Sequence, residues 1–292
     1  MKLLKLIRVI SDRPLNAQGR TAALSRFIRW QFASRLIGQP IALPYVNETR
    51  LLVTTGMTGA TGNWYNGLHE PEEMAFVLHA LRPADLFVDI GANVGSFTIL
   101  AAGAVGAKAI AIEPLPSTHA RLLENIRLND VVDLVEPLCC GISSIAGELR
   151  FTDGLDTMNR VARADETVLS QMVPVTTLDH VCAMRMPTII KIDVEGHECA
   201  VLAGGAKVLS SPNLQAVLME TNGSGARYGH TDAEIIETMC SFGFTPCRYV
   251  WQSRTLTPTA RGAANTIFVR DLAGMSARCS AASRFSLVNG TI

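Results

Sequence analysis

The segment IIKIDVEGHE, residues 189–198, sets Lys191, Asp193, Glu195, His197 and Glu198 at the end of a short apolar run. Charges crowded at a buried strand end must pair with one another or face the crevice where parallel sheets bind ligands. Histidine titrates near neutrality, and a carboxylate beside it can accept a proton or orient the ring. Asp193 and His197 are therefore the candidates for taking a proton from a weak nucleophile such as an alcohol. Glu195 is a candidate hydrogen-bonding partner of substrate or cofactor. Lys191 and Glu198 read as structural: Glu195 and Glu198 suit a helix N-terminus, and Lys191 can pair with either. A second segment, LFVDIGANVGSFTILAA over 86–102, joins an apolar run, a glycine turn and a helix-like stretch. That is the pattern of a buried strand offering its backbone to a ligand at a helix N-terminus.

A dinucleotide turn requires G-x-G-x-x-G, so that backbone can approach the pyrophosphate. Here Asn93 occupies the second glycine position, and the Gly95-Ser96 pair lacks the lysine of a P-loop. What remains is Asp89, Gly91 and Gly95, which suits a ligand without phosphates. Glu113 closes the next apolar run, AIAIE, where a carboxylate can take both hydroxyls of a ribose. A ribose and an amino acid without phosphate describe S-adenosylmethionine (SAM). Around this site, Tyr65 and Glu70 in GNWYNGLHE and Glu220 and Asn222 after the run AVLME are weaker substrate candidates. Trp64 and Tyr65 fit a sugar face and a capped sheet edge equally well.

The elements that must hold these residues follow from periodicity. Strands are expected at 86–90, 109–112, 134–138, 188–192, 216–220, 245–249 and 266–269, with helices at 95–104, 116–128, 199–209 and 232–242. The first five strands are apolar on both faces and should form a parallel sheet. The last two could form a hairpin at its edge. Residues 40–68 read as short strands and flexible glycine-rich loops, 70–81 as a helix, and 142–187 as irregular apart from VPVTTLDHV. Residues 17–37 read as a helix with Leu24, Phe27, Ile28 and Phe32 on its apolar side, Leu36 at the margin, and Arg26 and Arg29 opposite. A helix packed on the main domain with solvated arginines is the preferred reading of this basic segment. A weak contact with an anionic membrane surface, or with an acidic lipid-linked substrate, is the alternative. The expected organisation is an N-terminal extension over 1–69, a catalytic domain over 70–270 and a flexible Ser/Ala-rich tail over 271–292.

Twenty-six basic and 26 acidic residues give no net charge, so nothing favours a nucleic-acid partner. Seven cysteines without a CxxC pair suggest buried reduced thiols and a cytoplasmic protein. The N-terminal MKLLKLIRVI is interrupted by Lys5 and Arg8 and does not read as a signal peptide. No spacing requires a metal, and oligomeric state is not legible.

The segments FVDIGANVGSFT, AIEPLPSTHARLLENIRLN, VPVTTLD, IIKIDVEGHECAVLAGG and NTIFV resemble the FkbM-type SAM-dependent methyltransferases, in the same order and over about residues 70–269. KIDVEGHE followed by VLAGG is the most specific part. The resemblance implies a Rossmann-like α/β fold of class I, with a seven-stranded, mostly parallel sheet in the order 3-2-1-4-5-7-6 flanked by helices. It implies O-methylation of a glycan or a small-molecule secondary metabolite. It assigns Asp89, Gly91, Asn93 and Gly95 to the first SAM motif, Glu113 to the ribose, and Cys140 and Gly141 to the adenine border. DVEG stands where nitrogen-methylating enzymes carry an Asn/Asp-Pro-Pro-aromatic motif, which argues against a nucleobase or glutamine acceptor. A carboxyl, lipid or peptide acceptor, and a SAM-binding module without turnover, are the competing readings.

Overall fold

The computed structural model describes residues 2–154, 158–163 and 165–292, with side chains from residue 7 onward. Residue 1, and residues 155–157 and 164 of the segment expected to be irregular, lie outside the described residues. Two helices, α1 (Lys2–Ser11) and α2 (Arg20–Ile37), lead into a hairpin of β1 (Ile41–Pro44) and β2 (Arg50–Val53), then α3 (Thr58–Asn66) and α4 (Pro71–Ala80). The alternating part follows with β3 (Leu86–Ile90), α5 (Ser96–Ile99), β4 (Lys108–Ile112), α6 (Pro116–Leu128) and β5 (Val135–Leu138). A lobe of β6 (Gly141–Ile142), β7 (Gly147–Thr152) and β8 (Ser170–Thr176) comes next. It precedes α7 (Leu178–Val181), β9 (Ile189–Ile192), α8 (Glu198–Ala203), α9 (Ala206–Ser210) and β10 (Ala216–Glu220). The chain continues through α10 (Asp232–Ser241), β11 (Thr245–Val250), β12 (Thr255–Pro258), β13 (Asn265–Val269) and α11 (Leu272–Ser280). It closes with the short strands β14 (Ser286–Leu287) and β15 (Gly290–Thr291).

The main sheet runs β12-β11-β13-β10-β9-β3-β4-β5. Without β12 this is the order 3-2-1-4-5-7-6 that the resemblance implies. Strands β3, β4, β5, β9 and β10 are parallel, and β13 lies antiparallel between β10 and β11. The edge hairpin is β11–β12, so the expected hairpin of the last two strands is corrected: β13 is interior. Strand β12, TLTP, buries only Leu256 and carries too little apolar pattern to read as a strand. Every residue of β3 and β9 is buried, including Asp89 and Lys191, which face each other in register.

Several expectations are corrected by long-range packing. The glycine-rich stretch before Glu70 is helix α3; its buried residues are Ala60, Thr61, Gly62, Asn63 and Asn66, small or polar types that give no apolar period. The segment 142–187 contains a three-stranded sheet, with β7 and β8 paired antiparallel from Gly147↔Val175 to Thr152↔Ser170. The helix expected at 199–209 is broken into α8 and α9 at Gly204 and Gly205, as glycine disfavours helix interiors. The helix expected at 95–104 is a short α5 that widens into a π-helical turn over Leu100–Val105. The tail expected to be flexible is folded: Met275, Cys279, Phe285 and Ile292 are buried, and Phe285 and Ile292 exchange backbone hydrogen bonds at 3.0 Å.

The N-terminal extension is tied to the glycine turn by Asn125 of α6, and to the end of that helix by Asn129. Buried Asn125 accepts the Leu52 N–H at 2.6 Å and donates to the Val94 carbonyl at 2.8 Å. Asn129 accepts from the Arg50 N–H and donates to its carbonyl, both at 2.8 Å. Edge strand β2 is thereby satisfied by side-chain amides, as a buried backbone requires. The packed face of α2 is Ala23, Phe27, Trp30 and Ser34. Ile28 and Phe32, expected on the packed side, and Leu36, expected at its margin, point to solvent instead. All seven cysteines are free; Cys182, Cys247 and Cys279 are buried as expected, whereas Cys139 and Cys240 are exposed. Among the described residues, no helix is long and apolar enough to cross a membrane.

Candidate active site

A cavity of about 240 Å³ lies at the C-terminal ends of β3, β4, β9 and β10, where Ile90, Ile112, Asp193 and Glu220 contribute to its lining. This is the end at which parallel sheets bind ligands.

One wall is the turn after β3. The N–H groups of Gly91 and Ala92 both donate to the Ile112 carbonyl, at 3.0 and 2.9 Å. Gly91 has φ +78°, and a β-carbon there would stand 1.9 Å from the Asp193 carbonyl oxygen, so no other residue fits. Asn93 takes φ +50°, which asparagine tolerates, and accepts the Val94 N–H on its own side chain at 2.7 Å. Gly95 has φ +92° and meets Leu122 of α6. Gly91, Asn93, Glu113, Cys140 and Gly141 all line the cavity. Glu113 accepts the Asn93 N–H at 3.0 Å and the Leu115 N–H at 3.1 Å. Burial pushes its carboxyl up to about 7 against the pull of those two N–H groups.

Asp89 is placed elsewhere. It lies beneath the turn, outside the cavity lining, and accepts the Thr98 hydroxyl at 2.6 Å, fastening α5 to β3. Its second oxygen, Oδ1, is buried without a hydrogen-bond partner among the described residues. Burial raises its pKa, opposed by Lys191.

The opposite wall follows β9. Asp193, Glu195 and His197 all line the cavity. Lys191 pairs with Asp193 at 2.8 Å rather than with Glu195 or Glu198, and stands 4.8 Å from the Phe97 ring centroid. Burial opposes its charge, but Asp193, Asp89 and Glu70 more than offset this and hold the amine above its usual range. His197 Nε2 is 3.0 Å from the Ser143 hydroxyl, and its ring meets Tyr228 edge-on at 5.9 Å. Burial, then the nearby His230, lowers the His197 pKa and keeps the imidazole neutral near pH 7. Glu195 sits at φ +54°, and its carbonyl accepts from Arg227 at 3.1 Å. Glu198 caps the turn as expected, accepting the N–H of Gly196 at 3.1 Å.

The carboxylates of Asp193, Glu195 and Glu220 offer oxygens within 4.8 Å of one another. Burial and the neighbouring Asp193 push Glu220 up to about 8. Burial lifts Glu70 to about 7.

Of the weaker candidates, Glu70 and Glu220 line the cavity, but Tyr65 and Asn222 do not. Tyr65 packs edge-on against Phe27 at 5.4 Å, and Asn222 is exposed, donating to Glu220 at 2.6 Å. Trp64 is likewise outside the lining; its indole donates to the Arg26 carbonyl at 3.3 Å. Thr58, Gly59 and Ala60 of α3 line the cavity, so the glycine-rich stretch does border the pocket, as a helix rather than a flexible loop; Phe151, Asn159 and Val161 of the β7–β8 lobe line it too and were not singled out by sequence. VPVTT was the one signal that pointed to that lobe.

A family model described as "Methyltransferase FkbM domain" matches residues 89–246. The chain is 30% identical over 162 residues to "Hexuronic acid methyltransferase AglP" of Haloferax volcanii, covering 51% of this chain and 61% of that protein. It is 42% identical over 66 residues to "Methyltransferase sdnD" of Sordaria araneosa, covering 22% of this chain and 26% of that protein. The chain thus spans less than two thirds of the length of either curated relative. Among solved structures, P. horikoshii TYW2 in complex with MeSAdo matches with a TM-score of 0.41 and 15% identity, covering 84% of this chain and 83% of that one. M. capricolum TrmK with S-adenosyl-homocysteine matches with a TM-score of 0.37 and 8% identity, covering 68% of each chain.

Proposed function

Because this chain belongs to the FkbM methyltransferase family, we propose that it transfers the methyl group of S-adenosylmethionine to a hydroxyl of a glycan or small-molecule natural product. The observation that carries the proposal is the facing of two walls in one cavity: the glycine turn after β3, and Asp193 and His197 after β9.

The residues present fit the cofactor. The turn presents backbone at Gly91 and Asn93 to the cavity, and Glu113 stands at the end of β4. Glu113 spends one lone pair of each oxygen on a backbone N–H and keeps others for two ribose hydroxyls. Cys140 and Gly141 border the adenine position. Asp89 serves the site by fixing the turn through Thr98, with Gly91 and Gly95 giving it its shape. When bound, SAM supplies a methyl carbon attached to a positively charged sulfur.

The protein's part is to position an acceptor oxygen opposite that sulfur and to receive its proton. Positioning in a near-attack geometry removes much of the entropic barrier. A neutral imidazole has a lone pair for the proton, so His197 is one acceptor. Asp193, held by Lys191, is the other, or orients the hydroxyl. Glu195 and Glu220 supply further hydrogen bonds to a polyol. Among the described residues, five carboxyl groups line the cavity, Glu70, Glu113, Asp193, Glu195 and Glu220, which favours a neutral acceptor over an ionised carboxyl. The glycan relative supports the acceptor class and not its charge.

Thermal unfolding with SAM, S-adenosylhomocysteine, NADH and ATP in parallel tests the cofactor. A ligand specific for the native state at a hundredfold excess over Kd stabilises it by about 2.7 kcal/mol. Stabilisation by the two adenosyl ligands alone, followed by S-adenosylhomocysteine release with a hydroxylated acceptor panel, is expected. No response to either in folded protein ends the proposal.

A further inference from the structure

Helix α2 carries a row of large apolar side chains on the face turned away from the protein. Ala23, Phe27, Trp30 and Ser34 are packed. Ile28, Phe32 and Leu36, at four-residue steps on the opposite face, are 53%, 73% and 89% exposed. Arg29 and Arg35 flank the row, both exposed. Eight of the 26 basic residues and one of the 26 acids fall within residues 1–37, although the whole chain has no net charge. From this juxtaposition we propose that α2 docks on the surface of an anionic lipid bilayer, with Ile28, Phe32 and Leu36 entering the headgroup boundary and Arg29 and Arg35 meeting lipid phosphates.

An exposed apolar row rimmed by cations offers the two things that hold a segment at a bilayer surface, apolar area and attraction to anionic lipid. A second copy of the chain is a poorer occupant, since it would bring Arg29 and Arg35 against their own counterparts. The docking face is fixed to the cavity through one helix. Arg26 donates to the carbonyls of Trp64 and Tyr65 at the end of α3, at 2.9 and 3.2 Å. The beginning of α3, Thr58 to Ala60, lines the cavity. Helices α2 and α3 would thus stand between a bilayer and the cavity. The docking inference stands on the surface alone and not on methyl transfer.

Flotation of the full chain with vesicles of phosphatidylcholine, and of phosphatidylcholine mixed with phosphatidylglycerol, tests it. Binding to the anionic vesicles, weakened by salt, is expected. Phe32→Ser with Leu36→Ser should weaken it by roughly tenfold or more, and Arg29→Gln and Arg35→Gln by roughly fivefold each. The exposed positions leave the melting temperature and SAM binding unchanged, so a loss cannot be assigned to misfolding. Absence of binding, equal binding to both vesicle types, or binding indifferent to the Phe32/Leu36 pair would overturn the inference. So would a wild-type dimer that dissociates when that pair is replaced.

Discussion

At the β3–β4 end of the cavity the wall is mostly backbone, shaped by Gly91, Asn93 and Gly95 at positive φ and closed by a carboxylate that two N–H groups already hold. At the β9–β10 end the wall is side chain. Asp193, Glu195 and His197 come from the loop after β9 and Glu220 from the end of β10, and residues of the β7–β8 lobe and of α3 line the same cavity. The first arrangement suits a ligand whose shape never changes. The second permits a different acceptor with each set of loops while the sheet stays the same. Substitutions at the two ends should therefore fail in different ways.

The largest effect is expected at the backbone wall. Gly91→Ala places a β-carbon against the Asp193 carbonyl and should cost about 2–4 kcal/mol of stability, read by urea unfolding. It should also abolish the thermal response to SAM. At the side-chain wall, the principal proton acceptor should lose turnover by about 100- to 10,000-fold on replacement. His197→Ala and Asp193→Asn, assayed separately, identify it, with SAM affinity retained in both. Full turnover in both variants would remove these residues from the mechanism.

A third substitution probes what joins the ends to the extension. Asn125→Leu leaves the Leu52 N–H and the Val94 carbonyl without their partner and should cost about 2–3 kcal/mol in unfolding experiments. A last effect is a pH profile. Glu220 moves from 4.5 to about 8 in the folded protein, so the native state holds a proton that the unfolded chain has released. Its contribution is present at pH 4.5 and lost as pH rises through 8. Urea midpoints measured from pH 5 to 9 should fall less steeply in Glu220→Gln than in the wild type.

The same division explains what the sequence reveals. Asp89, Gly91, Gly95 and Glu113 sit at fixed distances along one βαβ unit, so local spacing discloses them. The five parallel strands are equally legible, because burial on both faces makes them continuously apolar. Glu220 is found by its place at a strand end, and Glu70 by the aromatic residues that precede it in GNWYNGLHE. Phe151, Asn159 and Val161 are not, because only the pairing of β7 with β8 carries them to the cavity. Helix α3 escapes notice since it packs through glycine, alanine, threonine and asparagine. The amphipathicity of α2 misleads for a physical reason: its packed face mixes small Ala23 and Ser34 with Phe27 and Trp30, while Ile28, Phe32 and Leu36 form a second apolar row outside.

The contact between Gly91 and the Asp193 carbonyl also sets an order of events during folding. These residues are distant in the chain and meet only when β3 and β9 are aligned side by side. Closing such a long loop is slow compared with forming a local helix or hairpin. The glycine turn therefore cannot take its final shape while the lobe and α7 between these strands are still searching for their places. In a refolding experiment, the capacity to bind an adenosyl ligand should lag behind helix formation and arrive with the last cooperative phase.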